Sequence, residues 1–488
     1  MKIATKTRNN ILKIFALIFC IALFLTGCTT LSDIKDNSGN NIYFADIEYF
    51  QGQIAVVGDY LFYGNSYTAS DGDDFDYASA SSTGYLNRLN LSKFKYDLTE
   101  DEDGYVDPSP VGIERVDGED RLVGFQNQYM FALGHYLYFT TPNTHQNSAL
   151  ENDYTQVSLC RIRFNGEEFE ELNGTASTFR YDENTILTAQ KGSDGNYYII
   201  VYAPVSDESD TTYNLYSIKI GDSLGDVTTL AEDVTSVAMC DENSTIKEII
   251  YTTDSDDEYY ETTEVKAVDF ASGEERNLGD EVHGSETILQ DRIGDIVIYS
   301  YSSSEIPQAI FYKDLTNSDN NFNGGNEFYV TSGVSMVERV GSGYMFISDT
   351  SNSVMYKPTL GLTSSADENY VDPTPIKVLG SSEYNDILFV DGDYIYYSND
   401  TTINRVSVSA NGVGEKETLV TMTSLISGQC GYDGSYIYFY AQLENTTSDD
   451  SESDDETKDT TTTDTNYYLY RVDKNSTVPQ LLSKVNKN

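Results

Sequence analysis

Basic residues are in short supply: 30 Lys and Arg stand against 79 Asp and Glu, a formal net charge of −49. A phosphate backbone is gripped by stripes of Lys and Arg, so nucleic acid is excluded as a partner, and the same surface would repel an anionic bilayer. Histidine is scarcer still. His135, His145 and His283 are the only three, each in a turn or loop without a Ser or Cys nucleophile motif beside it, which leaves little material for a Ser/His/Asp triad. Cysteine comes to five. Cys160, Cys240 and Cys430 sit in alternating stretches without CxxC spacing or a nearby histidine, so they read as buried small hydrophobes and not as a disulfide framework or a metal set. Tryptophan is absent, and no apolar run is long enough to span a bilayer as a mature helix.

The one pronounced apolar run lies at the start. Lys2, Lys6, Arg8 and Lys13 precede Ile14 to Leu25, and the run ends in Leu25-Thr26-Gly27-Cys28; the basic flank, short apolar core and small-residue exit have the form of an export signal. The ending resembles the bacterial lipobox. That resemblance implies cleavage between Gly27 and Cys28, a diacylglyceryl group on the Cys28 thiol, and residence on the extracytoplasmic face of the cell membrane. Loss of residues 1–27 removes four basic and no acidic side chains, taking the formal charge from −49 to −53. The lipid must then do the membrane binding. Residues 28–41 are expected to be the lipidated cysteine and a flexible tether, since Thr29 to Asn41 is polar and without periodicity.

Forty tyrosines and 21 phenylalanines, with abundant Thr, Ser, Val and Ile, favour pleated and half-buried surfaces, so 42–488 is expected to be all-β. A strand, a Gly/Asp turn and a Tyr-rich strand recur along it. The clearest copies are Val57-Gly58-Asp59-Tyr60-Leu61-Phe62-Tyr63, Asp391-Gly392-Asp393-Tyr394-Ile395-Tyr396-Tyr397 and Asp433-Gly434-Ser435-Tyr436-Ile437-Tyr438-Phe439. Others begin at Gly134, Asp194, Gly294 and Gly343, and a worn fourth copy runs from Asn243 to Tyr251. Tight hairpins need residues that tolerate positive φ, which Gly and Asp supply. Each hairpin is followed by a third strand, among them Leu86-Asn87-Arg88-Leu89, Leu159-Cys160-Arg161-Ile162, Ile403-Asn404-Arg405-Val406 and Leu469-Tyr470-Arg471-Val472. Tyr105-Val106-Asp107-Pro108-Ser109-Pro110 in the first unit returns as Tyr370-Val371-Asp372-Pro373-Thr374-Pro375 in the sixth.

Such sheets have two apolar faces and bury both only in a ring, so the fold expected is a β-propeller of eight four-stranded blades. Seven blades is the alternative if the worn unit is a connection. An array of β-sandwiches is the runner-up. The Asp-Gly-x-Tyr-Ile-Tyr-Tyr hairpin followed by Leu-Tyr-Arg-Val resembles the Tyr-rich bacterial propeller domains of unknown function, related in appearance to TolB-like and lipoprotein-receptor-like propellers. The resemblance covers roughly 50–486, and its motifs imply a fold without carrying an active site.

Within the last unit, 444–466 is an acidic Ser/Thr-rich insertion that cannot form a core and is expected to be disordered. Asp319-Asn320-Asn321-Phe322-Asn323-Gly324 matches the opening half of a calcium loop, with oxygens from Asp319, Asn321 and Asn323 and a glycine at the turn. Its twelfth position is Val330, so a bidentate carboxylate would have to come from elsewhere. No further cofactor is expected. With 79 acidic residues any pair of carboxylates arises by chance, and the tryptophan of a sialidase-type Asp-box is missing. The functional expectation is a monomeric, lipid-anchored binding or scaffold protein of the cell envelope, not an enzyme, that holds an envelope protein, peptide or glycan through its loops and central channel. The alternative is a propeller-type glycosidase or lyase using paired carboxylates.

Overall fold

The computed structural model describes the strands and most short turns between residues 48 and 482; the longest stretches it leaves undescribed are 1–47, 69–82, 143–156, 172–184, 359–373 and 443–465. Every regular element among the described residues is a strand. They form eight antiparallel sheets in sequence order, spanning 54–115, 129–171, 186–231, 234–277, 286–329, 334–379, 386–421 and 425–481. Each sheet runs through four strands, here lettered A to D, with A innermost. The worn fourth unit is a full blade, so the count is eight and the seven-bladed alternative falls.

Closure of the ring is visible in the core. The buried apolar residues divide into eight clusters, and each joins one blade to the next, including a cluster of Ile54, Leu61 and Tyr63 of blade 1 with Tyr438, Leu469 and Leu482 of blade 8. The period of two along a strand produces this division, because successive side chains leave opposite faces of the sheet. In strand B of blade 2 (Tyr136–Pro142), Leu137 and Phe139 pack toward blade 1 while Tyr138 packs toward blade 3. Among the described residues, ten tyrosines are less than 2% exposed. They are inter-blade packing.

The seam between the chain's two ends has no shared four-stranded sheet, and other contacts close it. The Tyr63 hydroxyl donates to the Leu482 carbonyl at 3.2 Å across 419 residues of sequence. Tyr67–Thr68, from the B–C connection of blade 1, pairs with Asn466 and Tyr467 of blade 8. The N-terminal strand Glu48–Gln51 adds to the inner edge of blade 2, antiparallel to its strand A.

Glycines at positive φ occupy the A–B turns of seven blades: Gly58, Gly134, Gly195, Gly294, Gly341, Gly392 and Gly434. Blade 4 has none there, and its longer A–B connection bends to the next blade instead. Ser244 Oγ donates to the Gly294 carbonyl at 2.8 Å, and the Thr245 and Ile246 amides donate to Asp295 Oδ1 at 3.0 and 3.1 Å. The aspartates of the repeat have a role of their own. Asp433 Oδ1 accepts from the Ser435 and Tyr436 amides while its Oδ2 accepts from the Tyr438 hydroxyl at 2.8 Å, and Asp194 does the same for Asn196 and Tyr198.

Cys160, Cys240 and Cys430 are buried, each in a different inter-blade cluster, as their alternating contexts implied. Cys28 and Gly27 lie outside the described residues, as do Asp319, Asn321, Asn323, the three histidines and nearly all of the acidic insertion. Phe322, inside the calcium-like sequence, is described: it is buried with its ring 4.8 Å from that of Tyr299, in the core between blades 4 and 5.

Candidate functional site

Strand C carries an arginine at the same place in blades 1, 2, 7 and 8: Arg88, Arg161, Arg405 and Arg471. Each guanidinium lies over the tyrosine that opens strand B of its own blade, at 5.6 Å from the Tyr60 ring, 4.3 Å from Tyr136, 4.8 Å from Tyr394 and 4.3 Å from Tyr436. Three of them also reach the following blade. Arg88 donates to the Phe164 carbonyl at 2.8 Å, Arg161 to Gly221 at 3.1 Å and Arg405 to Lys474 at 2.9 Å, each acceptor being the residue just after strand C. These four blades form one arc across the seam where the chain's ends meet. The arginines of the repeat are therefore staples of the ring, and the sequence motif Leu-x-Arg-Val is structural.

A second cationic group is committed on the same ring face. Lys474 Nζ donates to Asp391 Oδ2 at 2.8 Å and to the Tyr432 hydroxyl at 2.9 Å, and Tyr432 donates to Asp391 at 2.7 Å. The hydrogen bond to Asp391 raises the lysine well above its ordinary value. Burial pushes Tyr432 up to about 12. Tyr432 stacks on Phe389 at 4.4 Å, so this cluster ties blade 7 to blade 8.

The seam between blades 5 and 6 differs from the rest. Its core cluster holds six buried residues among those described, against nine to fifteen in the others. A cleft of about 920 Å³ opens there, at the end of the ring that bears the A–B turns. Strand A of blade 5 (Glu286–Ile293) and its turn supply Asp291, Arg292, Ile293 and Asp295, Asp314 closes strand C, and strand A of blade 6 (Val334–Val340) supplies Met336 to Arg339. Both A strands carry a bulge next to the cleft, between Leu289 and Asp291 and between Val334 and Met336. A bulge swings the following side chains out of regular alternation.

Most polar groups of the cleft are already engaged. Arg292 donates to the carbonyls of Gly294 and Ile246 at 2.8 and 2.7 Å and to that of Glu248. Asp295 accepts the blade 4 amides, Asp314 accepts from the Thr316 amide and hydroxyl, and Asp291 accepts from the Arg292 amide at 2.7 Å. Glu338 stands apart: it is half-buried, and burial alone pushes its carboxyl up to about 7. Arg339, exposed, follows it. Among the described residues no aromatic side chain lines the cleft. Nothing in the sequence pointed to this site, because Glu338 and Arg339 are two charged residues among 109 and belong to no motif.

No family model and no curated protein matches the chain. Solved structures do, as propellers. A prolyl endopeptidase is similar at 12% identity and a TM-score of 0.41 over 72% of this chain, spanning about half (47%) of that enzyme's length. The propeller domain of the trilobed protease of Pyrococcus furiosus is similar at 8% identity and 0.36 over 77% of this chain and 96% of that one. Acylaminoacyl peptidase of Pyrococcus horikoshii is similar at 9% identity and 0.37 over 81% and 58%. The likeness is one of fold. It corrects one expectation drawn from the sequence: the chain was expected not to be an enzyme, and the solved structures it is similar to include peptidases, so that expectation is withdrawn.

Proposed function

We propose that this chain is an exported, lipid-anchored propeller that binds a peptide or an exposed segment of an envelope protein in the cleft between blades 5 and 6. The observation that carries the reading is the cleft itself, roomy enough at about 920 Å³ for a few residues of a ligand and furnished with a Glu338 carboxyl that no neighbour among the described residues engages. The choice of peptide over glycan rests on the lining. Sugars are gripped by open aromatic faces, and Met336, Ile293 and Ile296 present aliphatic surface instead, beside one carboxyl and one guanidinium. The lipid reading rests on Leu25-Thr26-Gly27-Cys28.

The test is calorimetric titration of the folded ring with a panel of short peptides bearing basic, acidic and neutral side chains, alongside cell-wall glycan fragments. Peptides with a basic group are expected to bind, and Glu338→Gln is expected to weaken them about tenfold, the loss of one charge-assisted hydrogen bond. Binding indifferent to Glu338→Gln and to Arg339→Ala would place the ligand elsewhere on the ring.

A further inference from the structure

The N-terminal strand fixes which face of the ring its anchor leaves from. Glu48 lies opposite Ala132 and Gln51 opposite Tyr129 in the pairing with strand A of blade 2 (Tyr129–Leu133), which runs into the A–B turn at Gly134. Glu48 is therefore at the A–B end of the ring, and Gln51 at the opposite end. The next strand, Ile54–Val57, runs back to its own A–B turn at Gly58, which agrees with that direction. Whatever precedes Glu48 approaches the ring from the A–B face, close to the central axis.

We propose that this face, with the cleft between blades 5 and 6, is turned toward the bilayer, so that the cleft meets ligands at the membrane surface. The inference rests on the lipid-anchor reading above. Nineteen residues separate Cys28 from Glu48. A chain of that length spans at most about 65 Å when fully extended and about 25 Å root-mean-square as a coil. To seat the ring the other way up, the tether would have to pass outward across five strands, about 19 Å, and then down the ring wall, roughly 20 Å more before side chains are counted. For a coil of that size, an end-to-end distance near 45 Å is roughly tenfold less populated than a relaxed one. The acidic insertion joins strand B to strand C of blade 8, between Gln442 and Asn466, and so is rooted on the face turned away. That arrangement keeps the densest run of negative charge off an anionic bilayer.

The experiment uses the full lipidated chain bound to phosphatidylethanolamine/phosphatidylglycerol vesicles containing an acceptor-labelled lipid. A donor fluorophore is placed on one introduced cysteine at a time. Ser435→Cys and Asn411→Cys lie on the A–B face; Thr401→Cys and Ser382→Cys lie on the other; all four positions are exposed, whereas the three native thiols of the ring are buried. Transfer to the lipid should be at least about twofold greater from the first pair, given a ring height of roughly 20 Å. Equal transfer from both faces, or the reverse order, would overturn the orientation. Cys28→Ala separates the two ideas, because it should abolish vesicle attachment. Attachment that persists without lipid on residue 28 would overturn the anchor reading and the orientation with it.

Discussion

Arg161→Ala is the sharpest test of the arginine staples, because Arg161 joins blade 2 to blade 3. The Arg161 side chain is 1% exposed; its Nε donates to Glu170 Oε2 at 2.7 Å and its Nη2 lies 2.5 Å from the same oxygen. Nη1 donates to the Gly221 carbonyl of blade 3, and the guanidinium lies 4.3 Å from the Tyr136 ring centre. Glu170 is 40% exposed, so the ion pair itself contributes at most about 1 kcal/mol. The charged hydrogen bond to Gly221 adds about 1.5 kcal/mol and the cation–π contact about 1 kcal/mol. Alanine should therefore destabilise the ring by about 3 kcal/mol, read by urea unfolding, or lower the melting temperature by roughly 4 °C for a ring of roughly 400 residues. Arg161→Lys should recover less than half of this, since an ammonium cannot serve Glu170 and Gly221 while lying flat on Tyr136. Arg276 is the control: its pair with Glu248 lies within blade 4 and is 48% and 22% exposed, so Arg276→Ala should cost less than about 1 kcal/mol. An Arg161→Ala protein as stable as the Arg276→Ala one would refute the idea that the repeated arginine joins blades.

Glu338 should give stability a distinctive pH dependence. The folded ring keeps its proton up to about pH 7 while the unfolded chain loses it near 4.5, so this group's contribution to stability declines as pH rises between those values. Glu338→Gln should match the parent at pH 4 and exceed it by about 1–2 kcal/mol at pH 8, allowing for partial exposure; an unchanged difference between the two pH values would show that the carboxyl is solvated. Tyr356→Phe should be neutral or stabilising by up to about 1 kcal/mol, because the Tyr356 hydroxyl is buried between blades 6 and 7 without a hydrogen-bond partner among the described residues; a loss of stability in denaturant titration would reveal a partner. Cys160, Cys240 and Cys430 should resist a thiol reagent in the native ring and all react after unfolding, Cys430 above all, since burial pushes its thiol up to about 12; fast native labelling would mean that a seam opens. Calcium at ionic strength matched with sodium should raise the melting temperature further, an effect reduced by Asp319→Ala, with a bound ion contributing about 2.7 kcal/mol at a hundredfold excess over its dissociation constant; equal responses to the two salts would remove calcium from the account.

The sequence alone determined what depends on neighbours along the chain. Alternation with period two, the Gly/Asp turns and the third-strand motif located strands A to C of every blade, because pleating and positive φ are local demands. The fourth hairpin looked worn for a long-range reason: its turn is shaped by hydrogen bonds to Asp295 of the next blade instead of by a glycine of its own. The same division holds for the candidate sites. The tyrosine excess announced aromatic packing, and the ring put that packing inside the seams, so among the described residues none of it lines the cleft. Leu-x-Arg-Val was legible as a repeat, but its reach to the following blade was not, since Arg88 meets the carbonyl of Phe164 only after two sheets have docked. Glu338 carried no signal at all. Tertiary structure alone decided that it should be a carboxyl without a partner among the described residues, by leaving the seam between blades 5 and 6 less filled than the others. A side chain's type is written in the sequence, whereas its dielectric surroundings and its neighbours across a seam exist only once the ring has closed.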